Sequence, residues 1–327
     1  MSCHGPDGRG QPKSVVGFDV DLPDFSDCAF TTPERDADWH AIIQNGGPIR
    51  GFSRKMPAFG TVLSAADIDA AIAHIRTFCR SRSWPRGDLN LPRPLVTEKA
   101  FPENEAVVTT TVDGTESVGN VFAYEHRIGA RSQYEVVVPF NLQKGEASGW
   151  AQGLGDVAVA TKRALYDNLA RGSILSAGGE ITFPTGKENL GLGGGATILE
   201  PFGAYSQMLP RDAFLHVHAG LEFPVGLEGA HNEWYWRTAA GWTVAQNGGT
   251  GRAWSPMIEM LAAREIAPGE RVQWDVVPQM QVTLSKRQHI MMSGGVQFPV
   301  NEREGRGRKV MLYLLWDWFD GGFFSGW

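Results

Sequence analysis

From Ala213 to Val225 the chain runs Ala213-Phe214-Leu215-His216-Val217-His218-Ala219-Gly220-Leu221-Glu222-Phe223-Pro224-Val225. Leu215, Val217, Ala219, Leu221, Phe223 and Val225 are apolar, and His216, His218, Gly220 and Glu222 stand between them. A period of two means a strand with one apolar and one polar face. The run is 13 residues long. Soluble strands average about 5–6 residues, and a membrane-crossing strand needs about 9–11.

The pattern repeats outward from this segment. In 271–284, Val272, Trp274, Val276, Met280, Val282 and Leu284 alternate with Arg271, Gln273, Asp275, Gln279, Gln281 and Thr283. In 288–300, Ile290, Met292, Val296, Phe298 and Val300 alternate with His289, Ser293 and Gln297. Phe183-Pro184-Thr185-Gly186, Phe223-Pro224-Val225-Gly226 and Phe298-Pro299-Val300-Asn301 share one motif, with Val138-Pro139-Phe140-Asn141 a looser copy. Proline has no N–H for the ladder and belongs at strand ends. The spacing of these prolines gives a hairpin unit of roughly 40 residues.

That ruler predicts twelve strands: 105–112, 117–128, 131–142, 154–166, 172–184, 196–208, 213–225, 232–245, 254–265, 271–284, 288–299 and 309–318. Twelve is even, as single-chain bacterial barrels require. The longer connections (143–153, 185–195 and 300–308) fall on one, extracellular side. Short ones such as 209–212 and 285–287 fall on the periplasmic side with both ends of the barrel. Trp234, Trp236, Trp254, Trp316 and Trp318 lie near strand ends, where an interfacial girdle would sit. A soluble β-sandwich or propeller is the alternative reading.

Composition agrees with a barrel. The chain has 327 residues, 40 of them glycine, with 11 tryptophans and 17 phenylalanines, yet is only 42% hydrophobic. A barrel wall needs apolar side chains only at alternate positions. The formal charge of −6 argues against a nucleic-acid partner. Apolar runs are short (Met311 to Trp316 is typical), which leaves no transmembrane helix.

Residues 1–84 follow a different grammar. Thr32-Pro33 reads as a helix start; Trp39, Ile42 and Ile43 give that helix an apolar face, and Gly46-Gly47 ends it. A second helix begins at Ser64, which forms a capping-box pattern with Asp67, and Ile68, Ile72 and Ile75 recur at helical spacing. Residues 85–104 hold Pro85, Pro92, Pro94 and Pro102 and read as a semi-rigid linker. The expected organisation is a small helical domain (1–84), a proline-rich linker (85–104) and a barrel (105–327).

Cys3-His4-Gly5-Pro6-Asp7-Gly8 matches the second half of the Cys-x-x-Cys-His motif that attaches a c-type haem. Met1 and Ser2 would then be the spacer residues, and the reading expects the native protein to extend upstream through the first cysteine and a signal peptide. Lys55-Met56-Pro57-Ala58-Phe59-Gly60 offers a methionine thioether on a loop fixed by proline, the usual partner of histidine in electron carriers. An ordinary core methionine is the alternative for Met56. His4, a loop methionine and a following helix, in that order, resemble a class I cytochrome c domain over about 1–80. The resemblance implies haem c, one per chain, with Cys3 as the thioether residue and His4 and Met56 as the axial iron ligands. Cys28 and Cys79 read either as a disulfide, slightly favoured in an oxidising compartment, or as two buried thiols. His40 and His74 read as surface or structural residues.

Gly153-Leu154-Gly155-Asp156-Val157 and Ile181-Thr182-Phe183-Pro184-Thr185-Gly186 are similar to outer-membrane proteins of the phenol-degradation MetA-pathway type, labelled transporters. The final Trp327 fits the terminal aromatic of such barrels. The expected lumen set is His216, His218, Glu222, Asp275, Gln279, Gln281 and His289; His216 and His218 point the same way, as two metal ligands would need, though polar inward residues suit any barrel. Gly178, Gly179, Gly294 and Gly295 read as strand glycines that relieve crowding, and Gly191 to Gly195 as a flexible external loop.

The whole resembles cytochrome–porin fusions of the bacterial outer membrane. The expected function is electron transfer rather than catalysis, with a haem domain in the periplasm or inside the barrel. Outer-membrane lipid and a redox partner, a periplasmic cytochrome or an extracellular donor or acceptor, are the expected partners. Transport of a small, aromatic solute with an accessory cytochrome is the alternative, and a soluble periplasmic oxidoreductase the third.

Overall fold

A computed structural model describes residues 3–318 except 20, 115–116, 146–148 and 228. Met1, Ser2 and Trp327 lie outside the described residues. The C-terminal part is a closed antiparallel barrel of twelve strands. They are β1 (Glu105–Asp113), β2 (Ser117–Ile128), β3 (Ser132–Gly145), β4 in two segments (Gly149–Leu154 and Val157–Asn168), β5 (Ser173–Phe183), β6 (Thr197–Leu209), β7 (Ala213–Val225), β8 in two segments (Glu233–Trp242 and Val244–Ala245), β9 (Ala253–Glu265), β10 (Gln273–Thr283), β11 (Ile290–Pro299) and β12 (Lys309–Asp317). Each pairs with its sequence neighbour, and β12 closes on β1 from Glu105↔Asp317 to Asp113↔Lys309. Closure leaves no unpaired edge, which is what allows strands to lie in lipid. Among the described residues no helix is long and apolar enough to cross a membrane, which says nothing of strands.

The two faces are clearest on β12. Val310, Leu312 and Leu314 are 54%, 47% and 43% exposed, while Met311, Tyr313 and Leu315 are 9%, 1% and 0% exposed. The outward row is the apolar band expected of a lipid-facing wall. Phe122, Phe140, Trp150, Leu175, Leu221, Trp236, Ile258, Trp274 and Met280 continue it on other strands. Trp318 departs from the expected girdle: it is buried, stacked at 5.7 Å on Tyr124.

The connections 184–196 and 300–308 lie at one end of the barrel, and 129–131, 169–172 and 210–212 at the other. Residues 143–153 are not the open loop the sequence suggests. β3 and β4 pair as far as Gly145↔Gly149. Phe183, Val225 and Pro299 end β5, β7 and β11 at the long-loop end, as the repeated motif predicts. Pro139 does not end a strand. It lies inside β3 opposite the break in β4, where Gly155 N–H donates to its carbonyl at 2.9 Å. A bulge is the other place a strand tolerates proline.

Residues 3–84 form four helices: α1 (Lys13–Val16), α2 (Cys28–Thr31), α3 (Asp36–Asn45) and α4 (Ala65–Arg76). α3 starts at Asp36, later than Thr32-Pro33 suggests; the Thr32 hydroxyl and N–H instead bond the Cys28 carbonyl and finish α2. Gly46 caps α3, and the Ser64–Asp67 capping box opens α4. Trp39, Ile68 and Ile72 form the core between α3 and α4, with Phe25, Ile43, Leu63 and Ile75 packed on it. A Cys28–Cys79 disulfide joins the start of α2 to the chain after α4.

Residues 85–104 do not bridge open solvent. They thread into the barrel from the short-turn end and fill that half of the lumen. Leu89, Ala100 and Phe101 are buried against Ala164, Ile174 and Ala204 of β4, β5 and β6. Leu95 packs against Val107, Ala123, Tyr313 and Leu315 on the opposite wall. This explains why the inward face of β12 is apolar. It also explains Gly295, where a Cβ would come within 2.7 Å of Leu95 Cδ1.

Candidate functional site

Both candidate ligand segments of the helical region are built onto α3. Gln11 N–H donates to the Cys3 carbonyl at 2.7 Å and Gly10 N–H to that of His4 at 3.0 Å, which folds residues 3–11 into a compact loop. The His4 ring lies 5.0 Å from Phe25, which lies 5.4 Å from Trp39 in α3. His4 Nδ1 is buried and no hydrogen bond reaches it. Burial lowers its pKa and so favours the neutral imidazole, the form that binds a metal. Cys3 takes no part in the disulfide.

Met56 follows the end of α3. Gly47 N–H donates to the Met56 carbonyl at 3.0 Å, Phe59 N–H to Ile43 at 2.9 Å and Gly60 N–H to Gln44 at 3.0 Å. The last turn of α3 thereby templates the 56–60 loop. Only glycine fits at this contact: a Cβ on Gly47 would lie 2.3 Å from the Ser53 carbonyl and 3.2 Å from Met56 Cβ. Two features therefore suit a haem held between histidine and methionine: a half-buried imidazole whose Nδ1 no hydrogen bond reaches, and a methionine loop pressed into a glycine cradle. Cys3 would supply a thioether bond and His4 and Met56 the axial ligands; the bound iron would supply a one-electron couple. Among the described residues no group of three or more His, Cys, Asp or Glu gathers as a metal site.

The lumen holds a second constellation, which connects the threaded segment to the wall. Arg93 pairs with Glu105 and, at 2.6 Å, with Glu125. Lys99 pairs with Glu103 and Glu105, and Lys162 of β4 with Glu98. Buried charges persist only when matched in this way. On the far wall the Glu259 carboxylate accepts from the N–H groups of Leu95, Val96 and Thr97 at 2.9, 3.1 and 2.7 Å, and from Gln279 Nε2 at 2.5 Å. His216 contacts Ser206 Oγ at 2.8 Å and the Pro92 carbonyl at 3.0 Å. His218 accepts from Glu98 N–H at 3.4 Å and contacts the Tyr235 hydroxyl at 3.0 Å. The two histidines thus point inward together, and all four ring nitrogens already have protein partners.

Gln279 and Gln281 also face the lumen; the Gln281 Oε1 accepts from the Tyr313 hydroxyl at 2.8 Å. Asp275 lies nearer the long-loop end and pairs with Arg306. His289 lies at the mouth of the lumen rather than on a strand. It sits in the 284–289 turn, 2.9 Å from Asp317 and 3.6 Å from Glu34 of the helical region. The loop expected to be flexible, Gly191 to Gly195, is pinned inward. Asp156 accepts from Gly186 N–H at 2.8 Å and Gly194 N–H at 2.6 Å, and Leu192 is 3% exposed against the lumen face at Gly153.

Sequence reasoning missed Arg93, Lys99, Lys162 and Glu259. The available signal was charge: Glu105, Glu125, Lys162 and Glu259 occupy inward strand positions, and the linker carries Arg93, Glu98, Lys99 and Glu103.

Residues 1–75 match the family model described as cytochrome C oxidase, cbb3-type, subunit III. Among curated proteins nothing matches the chain. Among solved structures, the COG4313 outer membrane channel from Pseudomonas putida F1 is similar at 14% identity and a TM-score of 0.49, over 69% of this chain and 100% of that one. The NanC porin is similar at 10% identity and 0.44, over 65% and 99%. The KdgM porin is similar at 7% identity and 0.43, over 65% and 99%.

Proposed function

We propose that this chain is a haem-c electron-transfer protein of the bacterial outer membrane. In this reading the helical region is the haem domain, with Cys3 as attachment residue and His4 and Met56 as axial ligands. The barrel is its anchor. The match of residues 1–75 to a cytochrome model and the glycine-cradled Met56 loop support the haem assignment. The outward apolar band on strands of 9–14 residues supports a membrane location. The short-turn end, where the helical region docks, would face the periplasm. The lipid around the barrel and a redox partner are the implied contacts, since one haem alone cannot carry charge across a bilayer.

The observation that favours this reading over transport is the occupied lumen. Residues 88–104 occupy one half through paired charges and buried Leu95 and Phe101, which narrows any path for a solute while that segment is in place. Transport of a small solute is the second reading. The inward carboxylates Glu180, Glu200 and Glu222 near the long-loop end would then act on a cationic or hydroxylated solute. Planar-bilayer recording decides between them. Electron transfer expects no sustained conductance from the intact protein; steady ion flux through wild type would favour transport.

A further inference from the structure

The 3-10 turn Gly47–Arg50 joins two parts of the molecule. Its first residue, Gly47, donates to the Met56 carbonyl. Its last, Arg50, is 3% exposed and ends against the barrel. Arg50 Nη2 donates to the Gly249 carbonyl at 2.7 Å and Nη1 to that of Thr250 at 3.1 Å, while Nε donates to Asp38 Oδ1 at 2.9 Å. Those carbonyls belong to the β8–β9 turn. Positive φ at Asn247, Gly248 and Gly249 (52°, 63° and 93°) turns them toward the helical region. A second contact runs alongside: the Arg287 guanidinium lies 4.4 Å over the Phe52 ring, immediately past the same 3-10 turn.

We infer that the β8–β9 turn of the barrel sets the position of the Met56 loop, acting through Arg50 as a positioning residue. The fork of a guanidinium can hold a carboxylate and two carbonyls at once, which a lysine ammonium on a flexible stem cannot reproduce. Beside these hydrogen bonds the fit is looser. A cavity of about 310 Å³, lined by His40, Gln44, Asp69 and Gly248 among others, lies beside α3 and α4. Arg50 carries the hydrogen bonds from the β8–β9 turn to this 3-10 turn, so movement of the barrel turn reaches Gly47 and the loop it templates. The consequence for redox chemistry rests on the reading of Met56 as an iron ligand; the positional claim does not.

The test is amide hydrogen exchange on the full chain in detergent, comparing wild type, Arg50→Lys and Gly249→Ala. The second variant alters only the barrel side, since φ at Gly249 is unfavourable for any L side chain. The inference expects the amides of Gly47, Phe59 and Gly60 to exchange at least about tenfold faster in both variants. The α4 amides from Ile72 to Ile75 should change less than about twofold. In haem-loaded protein the methionine-to-iron charge-transfer band should weaken in both. Unchanged loop amides would overturn the inference, and so would equal acceleration in α4, which would mean that Arg50 merely holds the fold. A wild-type protein without haem would sink the ligand reading, yet the amide result would still decide the positioning claim.

Discussion

His289 shows how much one side chain decides at the seam. Burial alone would lower its pKa, but Asp317 and then Glu34 hold it well above the usual histidine value. The sign follows from linkage: a group whose folded pKa is raised stabilises the fold fully below its unfolded pKa of about 6.5. That stabilisation fades as pH rises through the folded value. Docking of the helical region should therefore weaken from neutral to alkaline pH, read as faster protease cleavage after residue 84. His289→Gln should flatten that trend; an unchanged alkaline trend would show that another group carries it. Asp38 acts in the opposite sense. Burial raises it, yet Arg35 and Arg50 outweigh burial and keep it below the ordinary carboxylate range, so its contribution is lost as pH falls in acid. The sequence made Cys3, His4 and Met56 visible because each sits in a local motif. Arg50 was hidden because its barrel partners lie about 200 residues away along the chain, whereas Glu259 and Lys162 showed only as charges at inward strand positions, with nothing local to name their partners.

Among the elements, the barrel strands were the most legible. Alternation is a local property with a period of two, and a slip of one residue would send every lipid-facing side chain inward. The break in β4 was less so, since the motif around Pro139 copies a strand end while its position serves a bulge. The enclosure of the 85–104 segment was not legible for a physical reason: prolines give extended chain whether it is solvated or enclosed. Phe101 measures the enclosure. Phe101→Ala should cost about 3–5 kcal/mol, the range for removing a buried phenylalanine. Denaturant titration followed by proteolysis of the segment would read this, and a cost under about 1 kcal/mol would mean that the plug is loosely held. The Cys28–Cys79 bridge, whose ends are 51 positions apart in sequence, should stabilise the helical region by about 2–4 kcal/mol. Cys79→Ser, with Cys28→Ser, should lower the midpoint of that region's unfolding and leave the barrel's transition in place. A shift of the barrel transition as well would show that the two unfold together.

At the level of the whole molecule, a plugged barrel carries a docked helical region at its short-turn end. The longer turns at that end, 246–252 and 284–289, touch it through Gly249, Thr250, Arg287 and His289, and the 129–131 turn does so through Arg131, whose Nη1 donates to the Ser83 carbonyl at 3.0 Å. Breaking the lumen network should open the barrel. Lys162→Ala leaves Glu98 buried without its lysine, and removing one partner of a buried pair costs about 3–5 kcal/mol. Ion conductance should appear in that variant and be absent from wild type; a silent Lys162→Ala would show that the apolar contacts of Leu95 and Phe101 suffice to seal the lumen. The central claim, a haem held by His4 and Met56, is tested most directly by the absorption spectrum of the native protein purified from outer membranes. The account predicts a c-type spectrum on reduction, pigment that survives a denaturing gel, and loss of the methionine-to-iron band in Met56→Ala. A colourless wild-type protein, or a band indifferent to Met56→Ala, would contradict it.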